Sequence, residues 1–389
     1  MGASIRARRC RRWPAAQNLA VCTFTAERCR IQSWSGFEVT DCAHELAEQI
    51  RAAETSGRPL RIRGGDTRSF LRCDASCDTE VLDVRPHQGV IAFEPAELVL
   101  TARGGTPLEE IESTLAEARQ CLPFDPPRFA PGSTLGGAVA SGLAGPSRPW
   151  HGSVRDAVLG VTLLDGRAAS GHFGGQVMKN VAGYDVARLN AGAMGALGVL
   201  LDISLRVAPV PEQRMTRVLE VGLAEARARM TALARRPLPI TGLAWEAGRL
   251  RVRLAGSEVG VAAAVAAVGG DACEENDSYW NDLRDVTLAF FAGEGPLWRL
   301  SLPVTAPQPD LAANWLLDWG GAQRWCRTDA PAETVLTAAK ALGGHAMRQR
   351  PTPARSPLPP AMAGLQARIK AVFDPGGILN PGVLYPDLL

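Results

Sequence analysis

Pro131-Gly-Ser-Thr-Leu-Gly-Gly-Ala-Val-Ala-Ser-Gly-Leu-Ala-Gly145 carries no charge and almost no bulk, and every third or fourth residue is glycine. Such a stretch leaves backbone N–H groups bare and lets a ligand approach the main chain closely. Its expected role is to cradle an anion such as a diphosphate. Close helix packing through small residues is the competing reading. A second turn of the same kind weakens that competitor: Pro59-Leu-Arg-Ile62 reads as a short buried strand running into Arg63-Gly-Gly-Asp-Thr-Arg68, a strand-to-glycine-loop transition. The pair of loops, with strands and a helix between them, points to a pyrophosphate-bearing cofactor.

Two familiar nucleotide sites do not fit. A Rossmann site needs G-x-G-x-x-G directly after a strand and an acid about 20 residues later, and neither loop has that spacing. A Walker A loop, G-x-x-x-x-G-K-[ST], is absent, which disfavours ATP chemistry. Gly192-Ala-Met-Gly195-Ala-Leu-Gly198 has the spacing of tight helix packing rather than of dinucleotide contact.

The rest of the chain has the makeup of a globular protein. Its 389 residues exceed one ordinary core and imply two or three domains. The net charge of +2 excludes a strongly basic nucleic-acid surface. No apolar run approaches the ~18 residues that span a bilayer. The nine cysteines are scattered without a C-x-x-C pair and read as free cytosolic thiols. Arg6, Arg8, Arg9, Arg11 and Arg12 crowd a segment with no acid before Glu27, so residues 1–38 read as a disordered extension outside the fold rather than a targeting signal.

Helical spacing of Leu46, Ala47, Ile50 and Ala53 predicts a helix over 42–56 that Gly57 ends. Val81–Val84, Gly89–Phe93 and Leu98–Thr101 read as strands. Thr106-Pro107-Leu108-Glu109 reads as a capping box with proline at the first helical position. Ala157–Leu164 is a continuous apolar strand closed by Asp165-Gly166, and Val199–Val207 is another, ending at Pro209 and Pro211. Those prolines mark the expected domain boundary. Helices are expected over 223–234, 258–268 and 362–373, and strands near 241–245 and 250–254. Gln349–Pro360, with five prolines, is expected to be a linker or draped loop. The expected fold class is α+β: a first domain over 39–211, a smaller α+β domain over 212–373, and a C-terminal tail, 374–389.

Several motifs taken together narrow the cofactor. Arg63-Gly-Gly-Asp-Thr67, Pro131-Gly-Ser-Thr-Leu-Gly-Gly137, Arg155-Asp156-Ala-Val-Leu-Gly160, Val177-Met-Lys179-Asn180-Val-Ala-Gly-Tyr184-Asp185 and Phe373-Asp-Pro-Gly-Gly-Ile-Leu-Asn380-Pro-Gly382 together resemble the FAD-binding proteins of the vanillyl-alcohol oxidase and p-cresol methylhydroxylase (PCMH) type. Within that type the chain is similar to the FAD-binding subunits of bacterial glycolate oxidases. The resemblance covers about residues 41 to 389 and implies that 39–211 is an FAD-binding domain of two subdomains, that the tail 374–389 returns to the cofactor, and that Gly64, Gly65, Asp66 and Thr67 form a first diphosphate loop. Pro131, Gly132, Ser133, Thr134, Gly136, Gly137 and Gly142 match the second. It also places Asp156, Lys179, Asn180, Tyr184, Asp185 and Asn380 at the flavin. The implied partners are a homologous catalytic flavoprotein subunit and an iron–sulfur subunit. The implied setting is cytoplasmic, with any membrane association made through the complex.

Two departures refine the expectation. Covalent relatives use a histidine near the first glycine loop, where this chain has Arg68-Ser69-Phe70, so FAD is expected to be noncovalent. Catalytic relatives that oxidise 2-hydroxy acids carry a histidine-rich second domain that binds a metal. Of His44, His87, His151, His172 and His345, only the last lies beyond residue 172, and no metal is expected. Arg348 and Arg350 could supply a cation for a substrate carboxylate, but no complete set of catalytic residues is visible. The chain is therefore read as a subunit that oxidises glycolate together with partners. Two alternatives stay open: a self-sufficient FAD-dependent oxidase with its base among Tyr279, Asp282 and Asp285, and a structural subunit whose flavin does not turn over.

Overall fold

The computed structural model describes residues 30–32, 38–72, 79–175, 184–273, 276–350 and 353–385. After a short antiparallel pair, Arg30–Gln32 with Glu38–Thr40, comes the helix Ala43–Ser56, which buries Leu46, Ala47, Ile50 and Ala53 along one stripe. Gly57 takes the left-handed conformation (φ 66°) at its end, and its N–H and that of Arg58 close on the carbonyls of Glu54 and Ala53. The stripe packs on a parallel pair of strands, Leu60–Arg63 and Glu80–Asp83. The C-terminal segment completes this layer: Leu379 bridges Leu60 in parallel, and Ile378 and Leu379 lie in the same core.

Beside it stands a five-stranded antiparallel sheet in the order Val90–Glu94, Val99–Arg103, Val199–Arg206, Val158–Leu164, Ser170–Gly174. The helices Leu108–Glu117 and Leu135–Ser141 close its core through Leu108, Ile111, Leu115, Leu135, Ala138 and Val139. Two local expectations are corrected here. The capping box at Thr106 does not form. Pro107 is the cap residue with no side-chain bond, and the buried Thr106 hydroxyl instead donates to the Arg103 carbonyl (2.7 Å) and accepts from the Gly89 N–H (2.9 Å). A buried hydroxyl is better satisfied by two backbone partners of the sheet than by one frayed helix amide. The Asp165-Gly166 turn is wider than a two-residue hairpin, because Asp165 Oδ1 accepts from both Arg167 N–H and Ala169 N–H at 2.9 Å and holds a longer loop.

After Arg206 the chain leaves this sheet, and Ala208–Pro209 pairs with Gln120–Cys121. From Gln213 it builds a nine-stranded antiparallel sheet in the order Asp271–Ala272, Gln213–Glu220, Arg249–Gly256, Ile240–Glu246, Asn314–Asp318, Gln323–Arg327, Leu297–Ser301, His345–Arg350, Ala354–Arg355. The helices Leu223–Ala234 and Glu258–Val268 cover one end through Ala226, Met230, Val261 and Ala264, and Ala332–Ala341 covers the other through Val335 and Ala339. The proline-rich stretch is not wholly a loop. Ala354–Arg355 pairs with Met347 and Arg348 as a two-residue edge strand, the position where neighbouring prolines cost no ladder bond.

Asp318, 2% exposed at the end of its strand, is the most strained carboxyl of this half. It accepts from the Trp319 N–H at 2.7 Å, but burial pushes its pKa up to about 7. Because the folded value lies above the unfolded one, the folded chain keeps a proton that the unfolded chain loses. Stability therefore falls as pH rises from about 4 to 7, by something on the order of 4 kcal/mol. Asp318→Asn is expected to flatten that slope in urea unfolding between pH 5 and 8, and an unchanged slope would refute this account.

Candidate functional site

The two glycine loops meet. A Cβ on Gly65 would stand 1.9 Å from the carbonyl oxygen of Gly132, and one on Gly64 would stand 2.4 Å from Thr134 Oγ1. These glycines are therefore required for loop-to-loop contact before any ligand is considered. Their junction floors a cleft lined by Gly64, Gly65, Asp66, Thr67, Thr134, Gly136, Gly137 and Asn380 from the sequence-derived set. Among the described residues, the N–H groups of Gly64 through Arg68 donate to no protein acceptor. The second loop differs from expectation. Its Leu135 and Gly136 amides are already spent on the carbonyls of Thr106 (2.9 Å) and Gly104 (2.7 Å), and that of Gly137 on Thr134 Oγ1. The first loop thus offers the free amides, while the second supplies a close-packed wall.

Arg68 lies beneath both loops. It is 8% exposed and donates to Ser133 Oγ (2.6 Å), Thr67 Oγ1 (3.1 Å) and the Pro127 carbonyl, with Phe129 under its guanidinium at 5.5 Å. Among the described residues it has no salt-bridge partner, and its buried Nε has no acceptor. Burial lowers its pKa to about 10, with the charge of Asp285 opposing, so it stays protonated at neutral pH. A buried, unneutralised cation under a row of free amides favours an anion in the cleft.

Asn380 closes the cleft from the C-terminal side. Its Oδ1 accepts from Ile62 N–H (2.9 Å), its Nδ2 donates to the Met194 carbonyl (2.7 Å), and its own N–H donates to Leu60 O (2.9 Å). One amide therefore fixes the strand that delivers the first loop and the turn around Met194. That turn also corrects the sequence reading. Gly192–Gly198 does more than pack on a helix: Gly192 and Met194 N–H donate to Val139 and Ala140 at the end of Leu135–Ser141, while Met194, Gly195 and Gly198 line the cleft, and Gly195 (φ 73°) leaves room for Asn380 Nδ2. Asn190, Met194 and Gly195 are cleft residues missed in the sequence, although the glycine spacing carried the signal. Arg68 was read only as the absence of a histidine.

The other sequence candidates lie elsewhere or act structurally. Ser133 is buried on Arg68, while Pro131 and Gly132 are exposed, the Gly132 carbonyl serving the contact with Gly65. Gly142 ends its helix in the left-handed conformation against Gly192. Asp156 caps its own turn, accepting from Ser153 N–H and Oγ at 2.8 Å, which lowers its pKa. Tyr184 is 97% exposed, and Asp185 caps Val186–Leu189. Lys179 and Asn180 lie outside the described residues. Among the candidate bases, Asp285 accepts from Arg128 N–H and Arg284, and Asp282 accepts from Thr287 Oγ1. Burial raises the pKa of Tyr279 and keeps its proton. Arg348 lies over the Trp298 ring at 5.7 Å. His87 is buried, its Nδ1 accepting from Cys42 N–H. No group of His, Cys, Asp or Glu converges to hold a metal among the described residues. None of their helices is long and apolar enough to cross a membrane.

Comparison with known proteins places the chain among FAD-binding proteins. A family described as an FAD binding domain matches residues 39–172. The chain is 43% identical over 349 residues to glycolate oxidase subunit GlcE of Escherichia coli (strain K12), covering 90% of this chain and 99% of that protein. It is 27% identical to glycolate oxidase subunit GlcD of Bacillus subtilis (strain 168), but over 41% of this chain and 33% of that one. Among solved structures, an alkyldihydroxyacetonephosphate synthase superposes with a TM-score of 0.62 at 12% identity, over 87% of this chain and 75% of the other, a likeness of fold.

Proposed function

From the premise that this chain belongs to the GlcE family of glycolate oxidase subunits, FAD-binding oxidoreductase proteins, we propose that it holds FAD noncovalently in the cleft between its glycine loops. Its work is then done within a glycolate oxidase complex that converts glycolate to glyoxylate. The observation that carries the reading is the buried Arg68 beneath the free amides of Gly64–Arg68, a cradle for a diphosphate. Support for noncovalent binding comes from Arg68-Ser69-Phe70 after the first loop, where covalent relatives use a histidine. Bound FAD supplies a two-electron acceptor. This chain's residues orient it: Arg68 and the first loop take the diphosphate charge, Asn380 holds the strand and turn that wall the cleft, and residues 374–380 return as a tail that locks the site. Division at Pro209–Gln213 into a flavin domain and a second domain belongs to the same proposal.

The bases considered are held in hydrogen bonds or held protonated, which favours a subunit that turns over with partners: a homologous flavoprotein subunit and an iron–sulfur subunit, assembled in the cytoplasm. The test is direct. The full-length chain should take up FAD stoichiometrically and release it on denaturation, and added glycolate should bleach that flavin anaerobically only once partner subunits are supplied. No FAD uptake overturns the cofactor reading. Bleaching by the isolated chain would instead establish a self-sufficient oxidase.

A further inference from the structure

The face of the second sheet that looks back toward the glycine-rich helix carries a second, separate set of cations. On the strand Leu297–Ser301, Arg299 and Ser301 are two apart and project to one face, and His345 of the neighbouring strand stands directly opposite Ser301. Arg148, from the short helix Arg148–His151, approaches the same face and lies over the Trp319 ring at 4.4 Å. These side chains line a cavity of about 300 Å³ that contains no acid. Neither guanidinium has a salt-bridge partner or side-chain hydrogen bond among the described residues. The charge of Asp156 acts on Arg148 against the burial that lowers its pKa, but Asp156 does not line the cavity. Burial and the charges of Arg355 and Arg148 lower the pKa of Arg299 to about 10, and burial and Arg299 lower that of His345. At neutral pH the cavity thus holds two like charges and a neutral imidazole.

We propose that Arg148, Arg299, Ser301 and His345 form a binding site for a small carboxylate anion of the 2-hydroxy-acid class. Two planar guanidinium forks match a carboxylate, which cancels their mutual repulsion. Ser301 and His345 offer a hydroxyl and a ring nitrogen to the substrate hydroxyl. The site's position ties it to the flavin. Its wall is Gly142 and Leu143, the residues that directly follow Ala140 and Ser141 of the flavin cleft. The inference rests on the proposed flavin reading for its role, whereas the anion site itself does not.

Calorimetric titration of the full-length chain with oxalate, an unreactive two-carbon carboxylate, tests it, with flavin content read separately by absorbance. Saturable binding is expected, weakened at least tenfold in Arg299→Met and in Arg148→Met and restored in large part by Arg299→Lys, with FAD uptake and near-ultraviolet dichroism unchanged. Absence of saturable binding, binding within twofold of wild type in both methionine variants, or tighter binding of inorganic phosphate than of oxalate would overturn the proposal. Oxalate binding by a chain that takes up no FAD would sustain the anion site and refute the flavin reading instead.

Discussion

Lys370→Met is expected to cost about 3–5 kcal/mol of stability, read as a lower urea midpoint at unchanged slope. The ammonium is 6% exposed on the last turn of the helix Pro360–Phe373, and donates to the carbonyls of Ala196 (2.8 Å) and Leu379 (2.7 Å) and to Asp374. Asp374 is 1% exposed and accepts from Ile378 and Leu379 N–H. Methionine matches the lysine stem but leaves two carbonyls and a buried carboxylate without their cation. That uncompensated charge is the main cost. Since the same residues hold the tail whose Asn380 fixes Ile62 and Met194, FAD uptake should weaken together with stability. Replacing both partners, Lys370→Met with Asp374→Leu, should recover part of the loss, because no charge is then left buried. A single variant as stable as the wild type would refute this.

Gly65→Ala is expected to reduce FAD affinity about 10- to 100-fold. The added methyl would occupy the position of the Gly132 carbonyl, 1.9 Å away, where neither partner is a flexible side chain. The loops must therefore separate, at an overpacking cost of about 1–3 kcal/mol or more, and the amides of Gly64–Arg68 lose their placement over Arg68. Flavin fluorescence titration measures the effect. Gly364→Ala is the control: a Cβ there meets nothing within 4 Å, so FAD affinity should not change. Equal affinities in the two variants would show that loop contact does not shape the cleft.

The elements most legible in the sequence were those whose signal is local. The stripe Leu46–Ala53 ending at Gly57, the apolar runs of the five-stranded sheet, and the helices over 223–234 and 258–268 all follow from periodicity and a terminating residue. Arg63-Gly-Gly-Asp-Thr67 was legible for the same reason, a strand meeting glycines. The sequence did not disclose what the buried groups do. Thr106 looked like a helix cap because its neighbours fit one, yet sheet carbonyls across the fold claimed its hydroxyl. Asp156 looked like a ligand-facing acid, and its Oδ2 instead accepts from Ser153 N–H and Oγ.

By itself, then, the sequence determined the α+β class, the paired glycine loops and, through motif resemblance, the FAD-binding family, since each depends on residues close together in the chain. Only the tertiary structure decided which amides remain free, that Gly65 serves contact with Gly132, that Arg68 is a buried cation under both loops, and that Arg148, Arg299 and His345 share one cavity. The reason is physical. Desolvation and hydrogen-bond competition depend on what packs around a group, and for these residues the deciding neighbours lie tens to hundreds of positions away.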